Sequence, residues 1–165
     1  MEPTLPRDRL QPCLLDRLTD TDRAHPGERR EQRVWSQRQL HAFVLRDLQW
    51  LLNTPCRFAP EELKDFPLAA RSIINYGLPN LTGAHISGLA ADRLERLLVT
   101  AIQSYEPRVL RRSLVVLSVG EGASNLLQFE IKGEIWADPV PDVLYVKTEL
   151  DLETGRCVLR DQQYG

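Results

Sequence analysis

Two rhythms divide the chain. Up to Tyr105 its apolar residues recur at helical spacing, and from Leu114 onward they alternate with polar ones. Leu40, Phe43, Val44, Leu48, Leu51 and Leu52 share one helical face and predict a helix from Ser36 to Leu52. Ser36 and Gln39 form a capping box at its start, and Asn53-Thr54-Pro55 ends it. Pro60 to Lys64 reads as one helical turn with proline leading and acids early. Leu68 to Ile74 is apolar enough for another short helix. Gly77 supplies a left-handed stop, and Pro79 forbids resumption. Leu94, Leu97, Leu98, Ala101, Ile102 and Tyr105 predict a further helix, starting at Ser87 or Asp92.

The second rhythm predicts strands. Leu114-Val115-Val116-Leu117 opens a stretch rich in β-branched and aliphatic residues. Leu127, Phe129, Ile131 and Ile135 alternate with Gln128, Glu130, Lys132 and Glu134, so that strand has one wet face. Gly133 inside it suggests a bulge. Residues 120–125 form the preceding turn. Leu144 to Leu150 gives a third strand, Glu153-Thr154-Gly155 a turn, and Arg156 to Arg160 a fourth strand. Helices first and a meander second predict an α+β fold. Its N-terminal helices would pack on a mainly antiparallel C-terminal meander as a two-layer single domain.

The first 33 residues stand apart. Leu10, Leu14, Leu15 and Leu18 make a short apolar stripe, too short to be stable alone. It must dock either on its own domain or on a neighbour. Thr19 to Arg33 reads as a polar, mobile connection. The division is therefore 1–33 as docking arm and connection, and 34–165 as the folded domain.

Composition narrows the possible chemistry. The chain has 165 residues, 42% hydrophobic and 27% charged, with a formal net charge of -2. That fits one soluble globular domain and gives no reason to expect nucleic acid. Cys13, Cys56 and Cys157 are odd in number and widely spaced, which fits reduced thiols better than a disulfide or zinc framework. No apolar run approaches the ~20 residues of a membrane helix, and the N-terminus lacks a signal peptide's apolar core, so a cytoplasmic protein is expected. No phosphate-cradling glycine loop, zinc-protease helix or nucleophile elbow is present. His25, His41 and His85 fall in unrelated segments, and His41 is assigned no role. No metal or cofactor is expected.

The remaining candidate is Tyr105-Glu106-Pro107-Arg108, at the change of rhythm. Pro107 stops the helix and holds Glu106 extended, fixing an acid and a base at a corner. The pair is either an internal ion pair bracing the corner or a contact for an outside partner. A glycosidase would need a second, facing carboxylate, and none has a defensible placement. Arg108 also favours an ionised Glu106, the opposite of what a proton donor needs.

These residues carry a family resemblance. Residues 10–18 (LQPCLLDRL), 46–53 (RDLQWLLN), 72–79 (SIINYGLP), 105–108 (YEPR) and 148–155 (TELDLETG) occur in an order and spacing similar to the TssE family of type VI secretion baseplate subunits. That family is itself similar to a wedge protein of contractile-tail phage baseplates. Cys13 stands where serine is common, and Asn80 where an acid is common.

The resemblance implies a non-enzymatic structural protein, working in the cytoplasm beneath an inner-membrane complex. It implies contacts to the wedge subunits TssF, TssG and TssK and to the sheath subunits TssB and TssC, with priming of sheath assembly. It also favours an interaction role for Tyr105, Glu106, Pro107 and Arg108, and the stripe Leu10, Leu14, Leu15 and Leu18 is a second contact candidate. An edge of the 112–160 sheet is expected to accept a sheath strand. Two rivals are a small anti-adaptor-like regulatory binding protein on the same fold and a peptidoglycan hydrolase. The family's "lysozyme-like" label has no support in the chemistry above.

Overall fold

The computed structural model describes residues 13–19, 36–81, 91–121, 126–137 and 141–162. Leu10, the connection from Asp20 to Arg33, Ser87 and most of the 120–125 turn lie outside them. The described elements run α1 (Leu14–Leu18), α2 (Gln37–Asn53), α3 (Pro67–Ala70), a 3-10 turn (Ile73–Asn75) and α4 (Ala91–Tyr105). Four strands follow: β1 (Val115–Glu121), β2 (Leu126–Ile135), β3 (Asp142–Asp151) and β4 (Cys157–Asp161). The strands form one antiparallel sheet in the order β1-β2-β3-β4. This is the expected α+β meander.

Helices α2 and α4 cover one face of that sheet. Leu40, Val44, Leu48, Leu51 and Leu52 of α2 and Leu94, Leu98, Ala101 and Ile102 of α4 are buried. They join Leu127, Phe129, Ile131 and Ile135 of β2 and Leu144, Val146 and Leu150 of β3 in a single core. Alternation along β2 and β3 places these residues inward and leaves Gln128, Lys132 and Lys147 outside. The α2 cap is as the sequence predicts. The Gln39 N–H donates to Ser36 Oγ (3.2 Å), and the Ser36 N–H donates to Gln39 Oε1 (2.9 Å).

Three local expectations need correction. The helix expected over Leu68 to Ile74 is split into α3 and the 3-10 turn, with Pro67 at the first turn of α3. Its Leu68, Ile73 and Ile74 stay exposed, because the segment packs no apolar face on the core. Pro60 to Lys64 makes turns with hydrogen bonds three residues apart and no α-helix. The bulge expected at Gly133 is absent. Gly133 pairs in register with Leu144, and the irregularity lies on β1 between Ser118 and Gly120.

Gly77 is required by close approach as well as by its backbone. Its φ is +119°, and an added Cβ would sit 2.1 Å from the Thr54 carbonyl oxygen. That crowding comes from the bridge between Pro55 and Leu78, in which the Leu78 N–H donates to Thr54 O (2.8 Å) and the Cys56 N–H to Leu78 O (2.7 Å). The bridge returns the chain to the end of α2.

Candidate functional site

Helix α4 ends where its last backbone bond, Glu106 N–H to Ile102 O, meets Pro107. The chain then runs beside the end of β2. The Trp136 N–H donates to Arg108 O (2.7 Å), and the Leu110 N–H to Glu134 O (2.8 Å). The corner is thereby fixed to the sheet before any side chain is considered.

The Glu106 carboxylate points inward and is only 3% exposed. Arg108 grips it bidentately, Nε to Oε1 at 2.7 Å and Nη2 to Oε2 at 2.6 Å, while the Arg108 N–H adds a bond to Oε1 (3.2 Å). Arg108 Nη2 also donates to Asp47 Oδ2, and Nη1 lies 3.6 Å from Asp16 Oδ2. A second arginine closes the network. Arg46 Nη2 donates to Asp16 Oδ1 (2.7 Å) and Arg46 Nε to Asp47 Oδ1 (2.8 Å). Two guanidiniums and three carboxylates thus bind α1, α2 and the corner together.

The charges respond to this packing. Burial disfavours the Arg108 cation, but hydrogen bonds and charge from Glu106 and Asp47 outweigh it and push Arg108 above its ordinary value. Burial also pushes the Asp16 carboxyl up. Hydrogen bonding from Cys13 and Arg46, with the Arg46 charge, overrides it and holds Asp16 below its ordinary value.

The network gives the arm a definite orientation. Asp16 is buried and faces the domain, whereas Leu14 and Leu18 are 69% and 73% exposed, and Leu15 is also exposed. Leu14, Leu15 and Leu18 of the stripe therefore point away from the core, and the polar residue among them makes the attachment. Nearby on α2, the Arg46 guanidinium lies over the Phe43 ring (5.0 Å) and the half-exposed Trp50 ring (4.9 Å). Pro107 is exposed at the corner.

Tyr105 works in a different direction. Its hydroxyl donates toward the carbonyls of Asn75 (2.8 Å), Ser72 (3.1 Å) and Ala70 (3.2 Å), and its ring meets Tyr76 edge-on at 5.2 Å. This pins the 67–75 segment, which displays Leu68, Ile73 and Ile74 to solvent beside the exposed Phe66. Nothing in the sequence singles out that apolar patch, because its residues look like core.

His41 is the other residue the sequence left without a role. It is buried, with Nδ1 3.2 Å from Asp142 and Nε2 3.3 Å from Asp161. Two further polar residues of α2 lie on the same stripe, eight and twelve positions on. Gln49 accepts from the Leu159 N–H (3.2 Å) and donates to Cys157 O (2.6 Å). Asn53 accepts from the Cys157 N–H (2.9 Å) and donates to Cys157 O (2.8 Å). The outer edge of β4 is therefore occupied by the side chains of α2. Polar residues in helical register beside an apolar stripe were the available signal.

Among the described residues, no group of three or more His, Cys, Asp or Glu side chains is arranged to hold a metal ion. No helix among them is long and apolar enough to cross a membrane. Both Glu106 oxygens are committed to Arg108, which leaves no free carboxylic acid at the corner.

A family model described as baseplate wedge protein gp25 matches residues 38–140, which spans α2, α4, the corner, β1 and β2. No curated protein and no solved structure matches the chain.

Removing one member of a buried pair strands the other's charge, at a cost of ~3–5 kcal/mol. Glu106→Ala and Arg108→Ala should each lower the melting temperature markedly. Wild-type melting by either variant would contradict an internal role for the pair. Because Asp16 is held low, its contribution is present above the unfolded value and is lost as pH falls through the lower folded one. The stability difference between wild type and Asp16→Asn should be full above about pH 4 and shrink on further acidification. A difference that stays constant with pH would count against it.

Proposed function

We propose a structural role from one established premise: the chain belongs to the baseplate wedge protein gp25 family. It is a non-enzymatic subunit of a type VI secretion baseplate that binds the wedge subunits TssF, TssG and TssK and primes assembly of the TssB and TssC sheath. Its place is the cytoplasm, under the inner-membrane complex. The observation that carries this reading is the orientation of the N-terminal arm. A segment that buries its acid and exposes its leucines is built to be covered by something else.

The proposed partner-binding region combines both sequence candidates. Leu14, Leu15, Leu18 and Pro107 are the side chains that touch a partner, and Leu10 extends the same stripe. Tyr105, Glu106 and Arg108 hold that surface in position. An enzymatic alternative draws no support from the corner, where the acid is paired and enclosed.

The sheath contact is assigned to β1. The β4 edge is occupied by Gln49 and Asn53, so strand addition there would displace four hydrogen bonds. On β1 the only side-chain bond to the outward backbone among the described residues is from Glu95, at Ser118. An incoming strand pairs more cheaply there.

Leu14→Asp with Leu18→Asp should leave melting unchanged and remove wedge subunits from a cellular pull-down whose partners are identified by mass. Retention of those subunits would contradict the assigned surface. Ser118→Pro removes an outward N–H without touching the β1–β2 ladder. It should stop sheath elongation in a protein with wild-type circular dichroism, whereas normal elongation would exclude the β1 edge.

A further inference from the structure

The two edges of the sheet are closed by different chemistry. On β4, amide side chains supply both a donor and an acceptor, as a neighbouring strand would. On β1 the cover, among the described residues, is one carboxylate, with Glu95 Oε1 of α4 accepting from the Ser118 N–H at 2.7 Å. A carboxylate can only accept. It satisfies an N–H and leaves the outward carbonyls of the strand unanswered.

The strand beneath it is prone to pairing. Leu114 to Val119 reads LVVLSV, with no charge, no proline and four β-branched or aliphatic neighbours in a row. Val115, Leu117 and Val119 form an exposed apolar row on the outer face of the sheet. The register with β2 turns the N–H and C=O of Val115 and Leu117 toward β2, and those of Val116 and Ser118 toward the open edge. Such an edge templates a second strand unless something prevents it.

We propose that Glu95 is an edge guard that keeps two copies of this chain from pairing β1 to β1. The occupant it excludes is a second copy in antiparallel register. Such a two-fold pairing would join the Val115, Leu117 and Val119 rows and extend the sheet to eight strands. Glu95 acts in two ways. It occupies the Ser118 N–H, and its charge faces the carbonyl oxygens that an approaching strand would present. The device is removable, because displacing it costs one charge-assisted hydrogen bond, whereas opening β4 would cost several.

The test uses the full chain in solution, with mass measured by light scattering across a concentration series. Glu95→Ala should dimerise at least about tenfold more tightly than wild type, as expected for losing one such bond. Glu95→Gln, which keeps the acceptor and loses the charge, should fall between the two and serves as the readout if the alanine variant does not fold. Amide exchange at Val116 and Ser118 should slow as the variant dimerises, and adding Ser118→Pro should restore the monomer. Monomer mass for both Glu95 variants at every concentration would overturn the proposal. So would association that persists with Ser118→Pro in place.

Discussion

Everything at the corner depends on the sharing of one guanidinium. Arg108 is held bidentately by Glu106, donates to Asp47 and approaches Asp16, so a single cation gathers the end of α4, the middle of α2 and the N-terminal arm. A planar, always-charged fork suits this better than a lysine, which would offer one point of charge on a mobile stem. Arg46 carries the same logic one step outward. It joins Asp16 to Asp47 while its face lies over Phe43 and Trp50. The arm is consequently placed by polar contacts, and its apolar side chains are left over.

The same division of labour appears at the sheet. Helix α2 spends its apolar stripe on the core and its flanking polar stripe, His41, Gln49 and Asn53, on the rim of β4. Helix α4 packs its apolar stripe on the core and, among the described residues, reaches the rim of β1 with one carboxylate. On one rim α2 answers the Cys157 N–H and C=O and the Leu159 N–H, while on the other, among the described residues, α4 answers only the Ser118 N–H. The proposed role calls for that asymmetry, because two open rims would invite uncontrolled association.

Much of the fold was legible in the sequence because burial writes itself as periodicity. The α2 stripe with its Ser36–Gln39 box, the α4 stripe and the alternation along β2 and β3 each correspond to an element with nearly the predicted limits. The stretch from Leu68 to Ile74 is not legible in the same way, because composition cannot separate apolar residues that are buried from apolar residues that are displayed. Gly133 is ambiguous because a glycine in a strand fits several backbone roles, and the irregularity lies between Ser118 and Gly120. The Glu106–Arg108 pair was visible, but Asp16 and Asp47 were not: their part depends on contacts across 92 and 61 positions. His41 was passed over for the same reason, since its two aspartates lie a hundred or more residues away.

The most direct test is a structure of the chain within its assembled wedge, at a resolution that shows side chains. In it Glu106 should still grip Arg108, Leu14 and Leu18 should be covered by a neighbouring subunit, and any added strand should lie on β1 with Gln49 and Asn53 still on β4. A neighbour's strand seated on β4, or an Arg108 turned away from Glu106 to meet a partner's acid, would contradict this arrangement.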